Sequence, residues 1–393
     1  MTIVYPVNER MMLRKARDAR IMRNAQAMSA KGQKVFLLIG RTAKRIEDIW
    51  EYYGLSPSEN LSIIQLPILK GQGKVRITVN EVFLRAALWK AKRINRSESL
   101  QFFYLSVLEV AEFFLKRRRS FPGAKFIYEL HELAWYPENS KPTPKQLEED
   151  AVEREVLSKM DGIFTTTEAL RKVVAERFPH IPSETIPLGM TPAPENSWNH
   201  FGAGERFKIG YLGQLYDAQG VDVLIKAVAL IPRVEAHIIG GSDGEISALK
   251  RRASDHGVSD RVIFHGFVTP GKAPEMLRDV DIFVVPAKDT VRMNYVAHLK
   301  IYEYMGLGRP TVATRLRSIE EEVEDGETGV LVTPDDPQSL AEGIQRLIQN
   351  PGLAKEIANR AFQQSVRYHW DQRAERIIRF IHSLDERPSG PQP

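Results

Sequence analysis

Short runs of unbroken apolar character alternate along this chain with stretches whose apolar residues recur every three or four positions. Val35-Phe36-Leu37-Leu38-Ile39 has no polar interruption, as a parallel strand covered on both faces requires. Residues 3–7, 62–66, 101–105, 125–130 and 162–166 predict further strands of the same kind. Helical spacing fills the gaps at 14–31, which stops at Gly32, at 82–94, in the stretch up to Lys116, and at 168–177. Prolines and glycines then break the rhythm, and residues from about 187 to 205 read as a linker.

A second alternation begins at Phe207, with strands expected at 207–212, 236–240, 262–265, 282–286, 311–313 and 330–332. Helices are expected at 221–231, 273–278, 299–306 and 339–348, and an amphipathic helical stretch at 352–384. Strand–helix alternation used twice predicts an α/β protein of two doubly wound, Rossmann-like domains, 1–188 and 189–365, with a disordered tail at 386–393. Two such domains would face each other across a cleft. Ligands of open parallel sheets bind outside the carboxyl ends of the strands, so the chemistry is expected on the loops that follow strands.

Composition narrows the function classes. The chain has no cysteine, which excludes disulfides, thiolate metal sites and cysteine nucleophiles. No stretch reaches the ~18–20 apolar residues of a membrane span, and the start lacks the layout of a secretory signal, so the cytoplasm is the expected compartment. The net charge of +5 is unevenly shared. Residues 1–125 hold 24 Lys and Arg against 10 Asp and Glu, a net +14, which leaves −9 on the rest. Such a field calls for an anionic partner: a phosphorylated or carboxylated acceptor, or an anionic membrane surface at which the protein would sit on the inner face. A solvated basic face without partner gives the same count. Nucleic acid is disfavoured, because no interleaved aromatic–basic module is present.

Four segments carry candidate chemistry. Gly213-Gln214-Leu215-Tyr216-Asp217-Ala218-Gln219-Gly220 follows a strand and opens a helix, where backbone N–H groups can meet an anion, although a ligand-free turn would look alike. Gly240-Gly241-Ser242-Asp243-Gly244 is a second, weaker glycine turn. Lys300 and Glu303 share one helix face: Lys300 could meet a phosphate and Glu303 could accept hydroxyl hydrogen bonds from a ribose, and the plain alternative is a surface Lys–Glu pair. His131 directly follows a predicted strand, placed to donate to a substrate hydroxyl or to work near a reacting carbon, or simply to be structural. Lys116-Arg117-Arg118-Arg119 could touch an acidic acceptor or a membrane, or merely complement a helix dipole. Asp279 and Asp281 resemble a metal pair but read better as polar residues capping a buried strand.

From Lys208 to Trp370 these motifs stand in an order that resembles the retaining glycosyltransferases of family 4, which have the two-Rossmann GT-B fold. Ile209-Gly210-Tyr211-Leu212-Gly213 with Gly220-Val221-Asp222-Val223-Leu224-Ile225 is similar to the family's first donor-domain strand and phosphate loop. Residues 261–268, which include Phe267, resemble the strand near the nucleotide base, and the block 300–314 is the most diagnostic. Asp325-Gly326-Glu327-Thr328-Gly329 is also typical of the family. Tyr368-His369-Trp370 resembles the start of a terminal helix, about 366–385, that returns to the N-terminal domain.

The resemblance implies a nucleotide-diphosphate sugar bound by the C-terminal domain and an acceptor bound by the N-terminal domain, which could be a glycan, a lipid-linked molecule or a phosphorylated one. It implies transfer with retention of configuration and no cofactor or metal. It places His131 near the sugar, Glu303 on the ribose, and Lys300 with Gly213, Gln214, Gln219, Gly241 and Phe267 around the donor. Three departures stand out. Gln214 and Gln219 occupy positions where the family commonly has Arg and Lys, with Lys300 or Arg292 as the replacement cation. Tyr295 occupies the position eight residues before Glu303 where the family has a second glutamate. Residues 8–10 lack the glycines usual after the first strand. Gln214, Gln219 and Tyr295 leave open a catalytically weakened binding or partner subunit; a sugar-nucleotide epimerase or a phosphorylase on the same fold is a further alternative, which the Lys300–Glu303 block fits less well.

Overall fold

The structure is a computed structural model that describes residues 1–12, 16–42, 45–68, 81–138, 141–193 and 201–385. The expected tail at 386–393 and the middle of the expected linker, 194–200, lie outside the described residues. The chain divides into two units, Met1–Pro187 with Trp370–Pro393, and Leu188–His369.

The first unit holds seven strands: β1 (Thr2–Arg10), β2 (Lys34–Gly40), β3 (Leu61–Leu66), β4 (Phe102–Leu105), β5 (Lys125–Leu130), β6 (Gly162–Thr165) and β7 (Ser183–Thr185). They form one parallel sheet in the order β3-β2-β1-β4-β5-β6-β7. Its helices are α1 (Ala16–Ala30), α2 (Ile46–Tyr53), α3 (Glu81–Glu98), α4 (Leu108–Leu115), α5 (Pro144–Leu157) and α6 (Glu168–Arg177). The strand order reverses between β1 and β4, which is where such sheets open a ligand crevice. β1 does not stop at residue 7, as its apolar run predicts. It continues to Arg10, with a register shift against β2 between Val7 and Arg10, so residues 8–10 are strand rather than loop. Asn8 is buried there, and its amide nitrogen donates to the Glu109 carboxylate at 3.1 Å.

The second unit holds β8 (Phe207–Leu212), β9 (Val234–Ile239), β10 (Val262–Gly266), β11 (Ile282–Val285), β12 (Thr311–Thr314) and β13 (Val330–Val332), all parallel in the order β10-β9-β8-β11-β12-β13. The switch point falls between β8 and β11. Its helices are α7 (Val221–Leu230), α8 (Asp243–Asp255), α9 (Ala273–Met276), α10 (Leu299–Gly306), α11 (Arg317–Glu320), α12 (Pro337–Gln349) and α13 (Pro351–Ser365). Apolar residues bury two clusters on this sheet, one led by Ile209, Leu224 and Ile344, the other by Phe283, Tyr304 and Met305. Asp281 accepts hydrogen bonds from the backbone N–H of Gly202 and Lys208 at 2.9 and 2.8 Å, so it ties off the strand ends as expected.

The expected helical stretch at 352–384 is two helices, α13 and α14 (Trp370–Ser383), separated by a 3-10 turn at Val366–Tyr368. α14 belongs to the first unit, where Trp370, Ile377, Phe380 and Ile381 join the core that includes Ile3, Tyr5 and Leu37.

Candidate functional site

In the second unit the carboxyl edge of β8, β9 and β10 is laced together through its own loops. Gly213 N–H donates to the Ile239 carbonyl at 3.0 Å, and Gly240 N–H donates to the Gly266 carbonyl at 2.7 Å. The packing demands glycine: a Cβ on Gly240, whose φ is +118°, would lie 2.0 Å from the Gly213 oxygen. Gly220, at φ +71°, starts α7 with its α carbon against Pro286 at the end of β11, where a Cβ would come within 1.7 Å of the carbonyl oxygen. Gly241 packs on Leu215, and Ser242 caps α8 through a reciprocal pair with Glu245. Phe267 follows directly on β10 and is half-buried.

Lys300 comes up beneath this loop from the first turn of α10. It is only 9% exposed, so the alternative of a solvated surface Lys–Glu pair does not hold. Its ammonium donates to Tyr211 Oη at 3.0 Å and to Gln219 Oε1, and it lies 4.2 Å from the centroid of the Tyr211 ring. The Tyr211 hydroxyl donates onward to the Gln214 carbonyl at 2.6 Å, and Gln219 Nε2 donates to Tyr216 Oη at 2.6 Å. Among the described residues no carboxylate lies within ion-pair reach of Lys300. Burial pushes its ammonium down to about 7, against the favourable field of the half-buried Glu303 three residues on. A buried ammonium held by neutral oxygens beneath a glycine turn is an arrangement to which an anion can add a favourable charge.

The other candidates of this unit fall around the cluster. Arg292 is exposed in a 3-10 turn, with its guanidinium 3.5 Å from Tyr216 Oη. Tyr295 is buried, with the Arg317 guanidinium 5.2 Å from its ring centroid. Lys288 reaches the loop from β11 and pairs with Asp217 at 2.9 Å and Asp222 at 3.1 Å. Sequence patterning missed Tyr211 and Tyr216, which read as strand and loop residues. The signal available was their position on either side of Gly213.

His131 lies in the first unit, immediately beyond β5. Its Nδ1 stands 2.7 Å from Arg20 Nη1 of α1. A guanidinium only donates, so Nδ1 is the acceptor and the ring proton sits on Nε2. Burial and the Arg20 charge push the imidazole down to about 4, against the pull of Glu129, so it is neutral at physiological pH. Behind it Glu129 is wholly buried and accepts from Tyr104 Oη at 2.7 Å and from Arg373 of α14. Burial opposes the Glu129 charge, but the Arg20 and Arg373 charges, with a hydrogen bond from His131, outweigh it and hold the carboxyl well below its ordinary range. Neither Arg20 nor Arg373 announces itself in the sequence.

The basic run 116–119 is largely committed to its own unit. Lys116 pairs with Glu112 at 2.6 Å, Arg117 lies 3.6 Å from the centroid of the Phe113 ring, and Arg118 grips Asp161 and the Lys159 carbonyl. Arg119 is exposed. Among the described residues no cluster of three or more His, Asp or Glu is arranged to hold a metal ion, and no helix is long and apolar enough to cross a membrane.

The chain is similar in sequence and fold to known proteins. A family model described as Glycosyl transferases group 1 matches residues 206–350. The D-inositol 3-phosphate glycosyltransferase of Acidothermus cellulolyticus is 32% identical over 43% of this chain and 39% of its own length. The protein of the same name from Corynebacterium jeikeium is 27% identical over 65% of this chain and 62% of its own length. The chain thus spans between about two fifths and three fifths of these curated relatives. Among solved structures, sucrose-phosphate synthase from Thermosynechococcus elongatus superposes with a TM-score of 0.77 at 18% identity, over 98% of this chain and 99% of that one. The Anabaena protein HepE in complex with UDP-glucose gives 0.72 at 17%, over 98% and 100%. The fold is the two-sheet GT-B fold.

Proposed function

Because residues 206–350 match the model of the Glycosyl transferases group 1 family, we propose that the chain transfers a sugar from a nucleotide-diphosphate donor to an anionic acceptor, with retention of configuration. The observation that carries the reading is Lys300, buried without a carboxylate partner under the Gly213 turn. In this reading the diphosphate is held by loop amides and by the N-terminus of α7, and Lys300 supplies the charge that the glutamines at 214 and 219 do not. Gln219 takes a different part: its amide oxygen orients the ammonium and its amide nitrogen fixes Tyr216. Glu303 is the acceptor for the ribose hydroxyls. His131, neutral and with its proton on Nε2, serves as a hydrogen-bond donor to a sugar hydroxyl. No metal is called for where fixed cations and amide dipoles meet the departing charge.

Uridine diphosphate is the nucleotide to try first, since a structural neighbour was solved with UDP-glucose. The inositol-phosphate enzymes among the relatives fit an acceptor bearing phosphate, as does the +14 carried by residues 1–125. We also assign a peripheral contact with anionic lipid to the first unit, supported by one face of α3 on which Arg85, Lys92, Arg93 and Arg96 surround Trp89, itself 62% exposed. Calorimetric titration with UDP, followed by UDP release from UDP-glucose with phosphorylated acceptors, tests the reading. Binding abolished or greatly weakened by Lys300→Met is the expected result. If no nucleoside diphosphate binds the wild-type protein, the reading falls and a non-catalytic partner subunit takes its place.

A further inference from the structure

Among the buried polar atoms of the first unit that lack a hydrogen-bond partner among the described residues, Arg20 contributes two from one guanidinium. It stands in the second turn of α1 and is 8% exposed, yet the hydrogen bond it makes is to an uncharged imidazole nitrogen. Its Nε and Nη2 are buried and have no hydrogen-bond partner among the described residues. These two N–H groups form the side-on edge of the guanidinium, the edge that grips a carboxylate or phosphate in a two-pronged fashion. His131 Nε2, also buried, faces Glu129 Oε1 at 3.2 Å, an oxygen that also accepts from Arg373, so the open donors here are those of Arg20.

The surrounding charges do not close the gap. The Glu129 carboxylate is committed to Arg373 and Tyr104, and Arg17, which shares the Arg20 face of α1, is paired with Glu9. A buried guanidinium with its fork open carries a desolvation cost that a second oxyanion would offset. The position matches a ligand seat, because His131 marks the carboxyl end of β5, the end of a parallel sheet at which ligands bind.

We propose that the Nε–Nη2 edge of Arg20, beside His131, is the seat of an oxyanion of the acceptor, a phosphate or carboxylate. This rests on the transferase reading and gives its acceptor a binding group. Arg20 then has two tasks: Nη1 fixes the His131 tautomer, and the opposite edge holds the acceptor's charge.

The test uses the full chain as wild type, Arg20→Gln and Arg20→Lys. With saturating UDP present, inorganic phosphate at millimolar concentration is expected to raise the melting temperature of the wild type. Arg20→Lys, which keeps the charge but not the fork, should lose most of that rise, and Arg20→Gln all of it. In turnover, glucose 6-phosphate against glucose and inositol monophosphate against inositol should show a preference for the anionic member. Arg20→Gln should cut that preference by about tenfold or more. Phosphate that stabilises Arg20→Gln as well as the wild type overturns the proposal. So does a UDP affinity that falls in Arg20→Gln, which would make the oxyanion the donor's own. A neutral and an anionic acceptor that lose rate equally would reduce Arg20 to a positioning residue for His131. If Arg20→Gln does not fold, Arg20→Lys against wild type decides the matter alone. Failure of UDP to bind the wild type sinks the transferase reading, and the phosphate titration, run without UDP on wild type and Arg20→Gln, still reports on Arg20.

Discussion

A lysine whose ammonium sits near 7 is only partly charged at the pH where the protein works, and this makes ligand binding and proton uptake one event at Lys300. A diphosphate beside it favours the charged form, so the wild type should take up a proton on binding UDP above pH 7. The UDP dissociation constant should rise with pH from about 7 toward 9. Calorimetry in buffers of different ionisation enthalpy measures the proton directly, and Lys300→Met should bind more weakly and lose the pH dependence. Without ligand the sign concerns stability. The folded-state value lies below the ordinary lysine value, so between the two the unfolded chain holds the extra proton. Stability should therefore rise with pH across that window, and it should do so less in Lys300→Met. The sequence placed Lys300 and Glu303 on one helix face, because three-residue spacing is a local property. It did not show that Tyr211, 89 positions earlier, closes over the ammonium, because no spacing rule links a strand residue to a distant helix.

At the scale of the element, apolar continuity made the buried strands readable, and polarity hid the rest. α5 has few apolar positions and buries Asp150 and Glu153, so its periodicity is faint. Its signal was at the start, where Thr143 caps, Pro144 takes the first turn and Gln146 completes the capping box. β7, Ser183-Glu184-Thr185, is a short polar edge strand with no apolar run to reveal it. The basic run 116–119 shows the opposite failure, in which charge is legible but its use is not. Arg118 holds Asp161, which in turn accepts from Phe126 N–H at the start of β5. Reversal by Arg118→Glu should therefore cost about 1 kcal/mol of stability, discounted for the part-exposed pair. Lys116→Glu with Arg119→Glu should leave vesicle binding near the wild-type level. The proposed lipid contact is assigned instead to α3, so Trp89→Ser with Arg93→Glu should lower co-sedimentation with phosphatidylglycerol vesicles several-fold. Raising the salt should weaken the wild type in the same way, and neutral vesicles should capture neither protein.

At the scale of the whole chain, the first unit is completed by its last helix, and one side chain does most of the joining. Arg373 is 1% exposed. It donates to the Glu129 carboxylate, to Asn24 Oδ1 at 2.9 Å, to the Ile186 carbonyl and to the Pro187 carbonyl. Its partner on β5 lies 244 residues away, and no pattern in either segment foretells the pairing. The amphipathic stripe of α14 was legible; the polar bond through its centre was not, because it depends on three elements meeting. Removing the guanidinium leaves the buried Glu129 carboxylate without its buried ion-pair partner Arg373 and takes that donor from the Ile186 and Pro187 carbonyls, which is far costlier than losing an exposed ion pair. Arg373→Met should destabilise the first unit by about 3–5 kcal/mol. The second unit has its own apolar clusters and should keep its stability. Calorimetry should then separate the two: one transition moves down in Arg373→Met, and the other stays in place and rises when UDP is added. A single transition that shifts as a whole, or a variant as stable as the wild type, would show that Arg373 does not carry the first unit.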